Sequence, residues 1–357
     1  MSIPSSFWEK VFFCNFEEMY KLFSLFILPL LISISVKCQH LAAFADSIKT
    51  AYHIPALGYA VVSADSVYEI NISGAKLQDR FRIGSNTKAI TGFIAALLVK
   101  EGKIKWDTKV SALLSKMHPA YRNITLQQLL SFRTPLVPYT YTNEEPAKFA
   151  GNEDEQRFQF ATWLLQQPPV QPKGELSYTN AGYVVAGIML EKASGKTYKQ
   201  LVNDLGNKLG LHFAFGNPNE TDSTQPWGHD AQLIPEPPQH NYKLEWLLAA
   251  GNINISLPDY VTFIQLQLKG LKGETNILPA KEFHFLLHGL PTFSIGWFWE
   301  KKETGEMVIT NTGNPGTFIT QVYIQNNKAF IFFTNCQTKD TYTALDLLFE
   351  AAKKRYL

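Results

Sequence analysis

The chain has 357 residues, of which 45% are hydrophobic and 18% charged, a composition typical of a globular protein with one large domain or two smaller ones. Its formal net charge of +2, without a long basic run, gives no reason to expect nucleic acid or an acidic partner. The three cysteines, Cys14, Cys38 and Cys336, show neither the spacing of metal ligands nor a disulfide framework.

Residues 1–38 are predicted to be an N-terminal extension and an export signal. Residues 19–21 form a short basic start, and the fifteen residues of 22–36 carry no charge. This pattern is typical of a secretory signal, and the apolar run is short of the ~20 residues that a membrane span needs. We expect translation to begin at Met19 and cleavage to leave Gln39 as the first residue of a periplasmic or secreted protein. Two alternatives stay open: a lipid anchor on Cys38, or an uncut segment that attaches the protein to a membrane.

Residues 39–105 are predicted to contain a helix, a β-hairpin and a second helix. Apolar residues recur at helical spacing over 40–52, whereas residues 56–72 alternate and are rich in β-branched side chains. Residues 89–99 are almost wholly apolar, so they predict a helix that is buried on every side.

The middle of the chain, residues 106–290, is predicted to be an all-helical insertion. Loops rich in proline, asparagine and glycine separate its helical stretches, which are 126–132, 158–167, 181–194, 198–209 and 259–268. One loop, 216–239, holds many turn residues and is expected to form a long surface segment near the functional site.

Strand patterns return in the last part of the chain, residues 291–357. They predict strands over 293–300 and 307–311, a hairpin of 318–325 with 329–334, and a final amphipathic helix over 341–354. Strands from both ends of the chain are expected to form one sheet. The predicted fold class is therefore α/β (α+β): an antiparallel sheet flanked by helices, built from 39–105 and 291–357, with the helical domain inserted between its strands.

A serine and a lysine, Ser85 and Lys88, stand three residues apart at the start of the apolar helix. Residues i and i+3 share one face of a helix, about 5–6 Å apart, so the amine can reach the hydroxyl. Burial lowers the pKa of a lysine, and a neutral amine activates a neighbouring hydroxyl as a nucleophile. The N–H groups at the helix start also favour developing negative charge. The alternative is that Ser85 only caps the helix and Lys88 reaches water. A second Ser-x-x-Lys, beginning at Ser73, precedes no apolar helix and is interpreted as a loop.

Other polar residues suggest further contributions to a site. Tyr178 and Asn180 lie in a loop before a helix, where Tyr178 could act as an acid or base and Asn180 could hold a substrate amide; alternatively, Asn180 caps the helix and Tyr178 packs. Residues 311–316 lead from one strand into the next, and glycine there lets a substrate backbone pair with the strand edge, unless the stretch is an ordinary turn. His284 and His288 lack the glutamate of a zinc-protease motif and are interpreted as helix residues, so no metal site is expected.

Three motifs of the chain resemble those of the serine β-lactamase and penicillin-binding protein superfamily, specifically its class C β-lactamase, D-alanyl-D-alanine carboxypeptidase and esterase branch, and they occur in the same order as in that branch. That branch carries Ser-x-x-Lys, Tyr-x-Asn and a triplet that begins with lysine or histidine and ends in glycine. The matching residues here are Ser85 with Lys88, Tyr178 with Asn180, and Asn311, Thr312 and Gly313. The resemblance covers residues 39–357 and implies a β-lactamase/transpeptidase-like fold, with the site between the sheet and the helical insertion.

The resemblance also implies a role for each matching residue. Ser85 would be the acylated nucleophile, Lys88 would take or relay its proton, and Tyr178 would act with Lys88 as the base in acylation and in activating the deacylating water. Asn180 would bind the substrate amide, and the backbone N–H groups of Ser85 and Asn314 would hold the oxyanion. Neither a metal nor an organic cofactor is implied, and the partner would be a small-molecule or peptide substrate.

Two departures from the family pattern bear on the expected chemistry. Asn311 stands where the family has lysine or histidine to bind a substrate carboxylate; it can donate a hydrogen bond but brings no charge, which weakens carboxylate recognition. Residues 131–135 replace the family's Ser-His-x-Ser-Gly with a stretch that contains Phe132 and Pro135. We expect an exported serine hydrolase acting on an amide or ester, with a slight preference for peptidase or esterase over β-lactamase activity. The alternative is a binding or sensor module that keeps the pocket and has lost turnover.

Overall fold

The computed structural model describes residues 41–140, 146–170, 174–239 and 241–357; the predicted extension and export signal, residues 1–38, lie outside these ranges. The strands are β1 (Leu57–Ser63), β2 (Val67–Ser73), β3 (Arg80–Arg82), β4 (Ala214–Phe215), β5 (Ile253–Ser256), β6 (Phe298–Lys301), β7 (Met307–Gly313), β8 (Ile319–Gln325) and β9 (Lys328–Thr334). The α-helices are α1 (Leu41–Ala51), α2 (Thr87–Lys100), α3 (Val110–Leu113), α4 (Leu126–Leu130), α5 (Glu153–Gln166), α6 (Asn180–Ser194), α7 (Tyr198–Leu209), α8 (Tyr242–Trp246), α9 (Leu248–Gly251), α10 (Leu257–Lys272), α11 (Ala280–His288) and α12 (Lys339–Tyr356). None of these helices combines the length and the hydrophobicity that crossing a bilayer requires.

Six strands form one antiparallel sheet in the order β2-β1-β9-β8-β7-β6. β1 pairs with β9 along its whole length, so strands from the two ends of the chain are neighbours. This confirms the prediction that both ends build one sheet. The β8–β9 hairpin turns at Asn326 and Asn327, whose φ angles of 49° and 59° are those that a two-residue hairpin turn favours.

Alternate residues of the central strands face two separate helical layers. On β1, Tyr59 and Val61 belong to the core formed with α1 and α12, whereas Ala60 and Val62 belong to the core that contains α2 and α10. A period of two is the pattern of a strand that is covered on both faces. An antiparallel sheet flanked by helices is therefore confirmed as the fold class.

The predicted buried helix is present as α2. All of its residues from Thr87 to Leu98 are buried. Gly92 allows the close approach of Ile295, since a Cβ at Gly92 would stand 2.6 Å from Ile295 Cγ2. One detail differs from the prediction: Gly84–Asn86 form a separate 3₁₀ turn, so Ser85 precedes α2 rather than lying in its first turn.

The five helices predicted in the middle of the chain are present; α7 has the predicted bounds, and the other four have shifted ends. α5, for example, begins at Glu153, because Asn152 and Glu155 form a capping box of reciprocal side chain to backbone hydrogen bonds. The segment also contains β4 and β5; β5 pairs with both β4 and β3, and the three strands form a second antiparallel sheet. β4 has two residues and β5 has four, which is too short for alternation to be recognised. The expectation of an all-helical insertion is corrected in this respect, while the domain boundaries stay a prediction.

The strand predicted over 293–300 is only partly formed: β6 begins at Phe298 and ends at Lys301. Gly296 has a φ angle of 91°, and a Cβ there would stand 2.5 Å from Ala89 Cα. A side chain would prevent this approach, so glycine is required where the chain contacts the start of α2, just before it enters the sheet at β6.

An ion pair attaches the loop 216–239 to the core. Arg82 of β3 is fully buried and donates from Nη1 to Glu236 Oε2 at 3.3 Å and to Asn217 Oδ1 at 3.1 Å. Glu236 also accepts a hydrogen bond from Thr317 Oγ1, on the chain between β7 and β8. The loop is therefore fixed to the core at both of these places, and it is more than the surface segment that the sequence predicts.

Replacing Glu236 with alanine should lower the free energy of unfolding by about 3 kcal/mol, because it removes a carboxylate that a buried guanidinium contacts. Urea unfolding measures the change. Glu303→Ala, at an exposed carboxylate between β6 and β7, is the control and should change this free energy by less than about 0.5 kcal/mol. Equal losses in the two variants would contradict a structural role for the ion pair.

Candidate active site

The 3₁₀ turn Gly84–Asn86 presents Ser85 between β3 and α2. Asn86 anchors this turn: its Nδ2 donates to Thr320 O of β8 at 3.1 Å, and its Oδ1 accepts from Tyr260 Oη of α10 at 3.0 Å. Both hydrogen bonds are buried. They hold the turn, and with it Ser85, in a fixed position against the sheet.

The Lys88 amine is buried among three oxygen atoms. Its Nζ lies 3.0 Å from Ser85 Oγ, 2.8 Å from Asn180 Oδ1 and 2.8 Å from Ala250 O, and the residue is 1% exposed. The carbonyl oxygens of Asn180 and Ala250 can only accept hydrogen bonds, so they take two N–H groups of the amine. This leaves the remaining position of Nζ for Ser85 Oγ. In the neutral amine that position is the lone pair.

Burial lowers the pKa of Lys88 below its ordinary value of 10.5, because desolvation disfavours the charged amine. The interaction with Tyr178 acts in the opposite direction without reversing the shift. The alternative in which Lys88 reaches water and Ser85 caps the helix is therefore wrong. The residue at the cap position of α2 is Asn86.

Tyr178 adds a hydroxyl beside the serine. Its Oη lies 2.6 Å from Ser85 Oγ, and the residue is 40% exposed. Thr179, and not Asn180, caps α6, since its hydroxyl accepts a hydrogen bond from the helix backbone at 3.1 Å. The alternative in which Asn180 is the cap is therefore wrong. Tyr178 and Asn180 flank the cap and reach Ser85 and Lys88 respectively.

Phe132, at one of the two departures from the family pattern, helps to position Tyr178. Its carbonyl oxygen accepts from Ser177 N at 2.9 Å, and its ring lies 4.6 Å from the Tyr178 ring and 4.2 Å from the Phe293 ring, measured between centroids. Its φ angle of 59° is uncommon for a bulky residue. Arg133 supports this conformation by donating from Nη1 to Phe293 O at 3.0 Å. The loop of Tyr178 is thus attached to an aromatic cluster.

The end of β7 lies against the turn that carries the serine. A Cβ at Gly313 would stand 1.8 Å from Ile83 O, and a Cβ at Gly84 would stand 2.7 Å from Asn314 N. Only glycine permits two backbones to approach so closely. Thr312 and Asn314, on either side of Gly313, are exposed at the same place.

Asn311 is placed differently from the expectation. It is 5% exposed, and its Nδ2 donates to Gly296 O at 2.7 Å. Side chains alternate along β7, so Asn311 faces the interior while Thr312 faces outward. The expected contact of Asn311 with a substrate carboxylate is corrected accordingly: its amide is buried and directs an N–H group to the protein backbone.

A cavity of about 370 Å³ opens at the serine. The described residues that line it are Ser85, Thr140, Tyr178, Asn180, Thr312, Asn314, Pro315, Gly316 and Gln337. All of these residues are uncharged. Thr140 and Gln337 were not predicted, because they come from irregular segments and belong to no motif.

The histidines that the sequence places on a helix do lie on α11. Nδ1 of His284 is 3.0 Å from Nε2 of His288. Within the described ranges, no group of three or more histidine, cysteine, aspartate or glutamate residues is arranged to hold a metal ion.

The arrangement around Ser85 is suited to nucleophilic catalysis. A hydroxyl lies within hydrogen-bond distance of a buried amine and of a phenol, next to an open cavity and to the backbone of Asn314. These are the parts that acyl transfer needs: a nucleophile, a base, an acid and donors for an oxyanion.

The chain belongs to the Beta-lactamase family, whose model matches residues 41–353. It is similar to penicillin-binding protein 4* from Bacillus subtilis (strain 168), with 22% identity over 350 residues that cover 86% of this chain and 73% of that protein. Several other curated proteins are matched over smaller shares, between 25% and 48% of their own length. These relatives confirm the resemblance to the serine β-lactamase and penicillin-binding protein superfamily, a family of hydrolases.

Solved structures share the fold. The octameric penicillin-binding protein homologue from Pyrococcus abyssi superposes with a TM-score of 0.72 at 18% identity, over 86% of this chain and 76% of that one. The D-amino acid amidase from Ochrobactrum anthropi SV3 superposes with a TM-score of 0.71 at 17% identity, over 89% of this chain and 99% of that one. The predicted β-lactamase/transpeptidase-like fold is therefore confirmed.

Lys88→Arg should slow the reaction of Ser85 with a fluorophosphonate by about 10²–10⁴-fold, because arginine keeps the charge and does not lose its proton to become a base. In the wild type, the rate should rise with pH through the lowered pKa of Lys88, as the amine becomes neutral. The second-order labelling rate measures both effects. Lys100→Arg, at the exposed end of the same helix, is the control. An arginine at 88 that reacts as fast as this control would exclude Lys88 as the base.

Proposed function

We propose that the protein is an exported serine hydrolase that cleaves an amide or an ester through an acyl-enzyme. The observation that carries the proposal is the buried Lys88 amine, which has two carbonyl acceptors and one remaining position at Ser85 Oγ. A neutral amine there is placed to remove the hydroxyl proton. Membership of the Beta-lactamase family supports the same class of reaction.

Acylation begins when Ser85 Oγ attacks the carbonyl carbon of the substrate and its proton passes to Lys88. The backbone N–H groups of Ser85 and Asn314 hold the oxyanion, and Asn180 binds the substrate amide. Tyr178 donates its hydroxyl proton to the leaving alcohol or amine, whose bond to the carbonyl carbon breaks, and recovers a proton from Lys88. In deacylation, a water molecule attacks the carbonyl carbon of the acyl-enzyme and gives one proton to Tyr178, which passes its own hydroxyl proton to Lys88. The bond between that carbon and Ser85 Oγ then breaks, Ser85 Oγ takes the proton from Lys88, and the acid is released.

The favoured substrates are uncharged near the scissile bond. The residues that line the cavity carry no charge, and the amide donor of Asn311 is engaged by Gly296. A substrate carboxylate therefore has no ionic partner among these residues, and charge-assisted hydrogen bonds are roughly twice as strong as neutral ones. This favours neutral esters and amides over penicillins and peptides that end in D-Ala-D-Ala. The names of penicillin-binding protein 4* and of the D-amino acid amidase keep penicillins and amides among the classes to test.

A second candidate is a binding or sensor module that keeps the pocket and has lost turnover. The observation that favours it is Asn311, which brings no cation to the site. Such a module would form a stable acyl-enzyme, or bind its ligand, without releasing product.

Export is proposed from the apolar residues 22–36, which lie outside the described ranges. N-terminal sequencing of the protein from its producing cell distinguishes a secreted chain that begins near Gln39 from an uncut chain associated with the membrane.

A fluorophosphonate should add one phosphonyl group to the wild type and none to Ser85→Ala, as measured by intact mass. Ser73→Ala is a matched control, because Ser73 begins the other Ser-x-x-Lys and lies at the end of β2.

Among three substrates, 4-nitrophenyl acetate should be hydrolysed faster than nitrocefin or a D-Ala-D-Ala peptide. Ser85→Ala should lower that rate by at least about 10³-fold, as expected for the loss of a nucleophile. An adduct that persists in Ser85→Ala would contradict the hydrolase, and an adduct without turnover would favour the binding module.

A further inference from the structure

Two aromatic side chains next to the candidate active site are exposed. Tyr178 is 40% exposed and Phe298 is 37% exposed. Their rings are nearly parallel, with an interplanar angle of 14° and centroids 6.4 Å apart. Single exposed apolar residues are common on protein surfaces, but adjacent ones beside a polar cavity indicate a binding surface.

The sheet places Phe298 on the side of β7 that faces the cavity. Phe298 is the first residue of β6 and lies directly opposite Thr310 of β7. Directly opposite residues share a face of the sheet, as do residues two apart on a strand. Phe298 therefore shares a face with Thr312, which lines the cavity. Phe298 contacts one lining residue, Tyr178, and lies on the same face as another.

The aromatic surface is already formed and is supported from behind. The Phe298 ring packs edge-on against Phe293 at 4.7 Å, and Phe293 stacks on Phe132 at 4.2 Å. Phe132 and Phe293 are both buried, and Arg133 links their segments through its hydrogen bond to Phe293 O. A ligand would therefore meet a rigid apolar surface, which keeps the entropic cost of binding low.

The positions of Tyr178 and Asn314 determine which part of a substrate reaches Phe298. Phe298 lies opposite Thr310 of β7, which ends at Gly313. Asn314, the next residue, is four residues or about 13 Å further along the chain from Thr310. In the proposed reaction, the backbone of Asn314 faces the carbonyl oxygen and Tyr178 protonates the leaving group. The part of the substrate on the side of Tyr178 and Phe298 is therefore the leaving group.

We infer that Tyr178 and Phe298 form an apolar subsite for the leaving group, and that this group is a flat, uncharged ring of the benzyl alcohol or benzylamine class. The inference rests on the proposed function and deepens it by naming the substrate class. It agrees with the lack of charge along the cavity. In this subsite Phe298 determines specificity, and Tyr178 serves both as the acid and as one wall.

The test compares benzyl acetate with methyl acetate. Both esters give the same acetyl-enzyme and release alcohols of similar acidity, so the ratio of their kcat/KM values reports how the leaving group is bound. The wild type should prefer the benzyl ester by about tenfold or more, as expected for burial of a phenyl group. Phe298→Ala and Phe298→Gln should each lower this ratio by at least about fivefold, whereas Phe298→Tyr should retain it. Tyr68→Ala, at an exposed tyrosine on β2, is the control and should keep the wild-type ratio.

Fluorophosphonate labelling of Ser85 shows whether each variant has a folded site, and the wild-type ratio tests the subsite independently of any variant. A wild-type ratio near one would overturn the subsite and leave the hydrolase intact. The same holds if Phe298→Ala and Phe298→Gln, both labelled at Ser85, keep the wild-type preference. If neither ester is cleaved and Ser85 is not labelled, the proposed function fails, and the subsite fails with it.

Discussion

The proposed chemistry of the site depends on the burial of one amine, that of Lys88. Three oxygen atoms lie 2.8 to 3.0 Å from its Nζ, and they come from the 3₁₀ turn, from α6 and from the carbonyl of Ala250 in α9. A buried ammonium group loses the hydration that stabilises its charge, and these partners compensate for only part of the loss, since the pKa of Lys88 is lowered. The apolar core around α2 thus lowers the stability of the charged amine and, by the same effect, makes a base available next to Ser85.

Close backbone contacts place the other groups around this amine. Gly313 lies against Ile83, and Gly296 lies against Ala89, at distances that a Cβ would not allow. These contacts hold β7 and the start of β6 against the turn and the helix that carry Ser85 and Lys88. Because the cavity lies between these elements and the Tyr178 loop, its geometry follows from the packing of the core. The exposed side chain of Phe298, at the start of β6, is the part of this region that we infer to determine specificity for the leaving group.

Local patterns in the sequence predicted the elements whose signals are local. α2 was recognisable because it is apolar on every side, and the β8–β9 hairpin because two asparagines separate two strand patterns. The prediction that Tyr178 and Asn180 lie close to Ser85 and Lys88 came from the family resemblance and not from residue spacing. Contacts between residues more than ninety positions apart leave no periodic signal in the sequence. The carbonyl of Ala250 was not predicted because a backbone group has no side chain to mark it. Whether the Asn311 side chain faces the interior depends on the register of β7 and on the position of Gly296. The sequence of residues 311–313 indicates neither of these.

The ionisation of Lys88 tests the account most directly. NMR of protein labelled with ¹⁵N and ¹³C at lysine, with the Lys88 signal assigned through Lys88→Arg, follows the titration of this amine against those of the exposed lysines. The account predicts that Lys88 loses its proton at a lower pH than the exposed lysines in the same sample, because it is buried. A Lys88 amine that titrates together with them, or at a higher pH, would contradict the account, because it would remain an ammonium where a base is required.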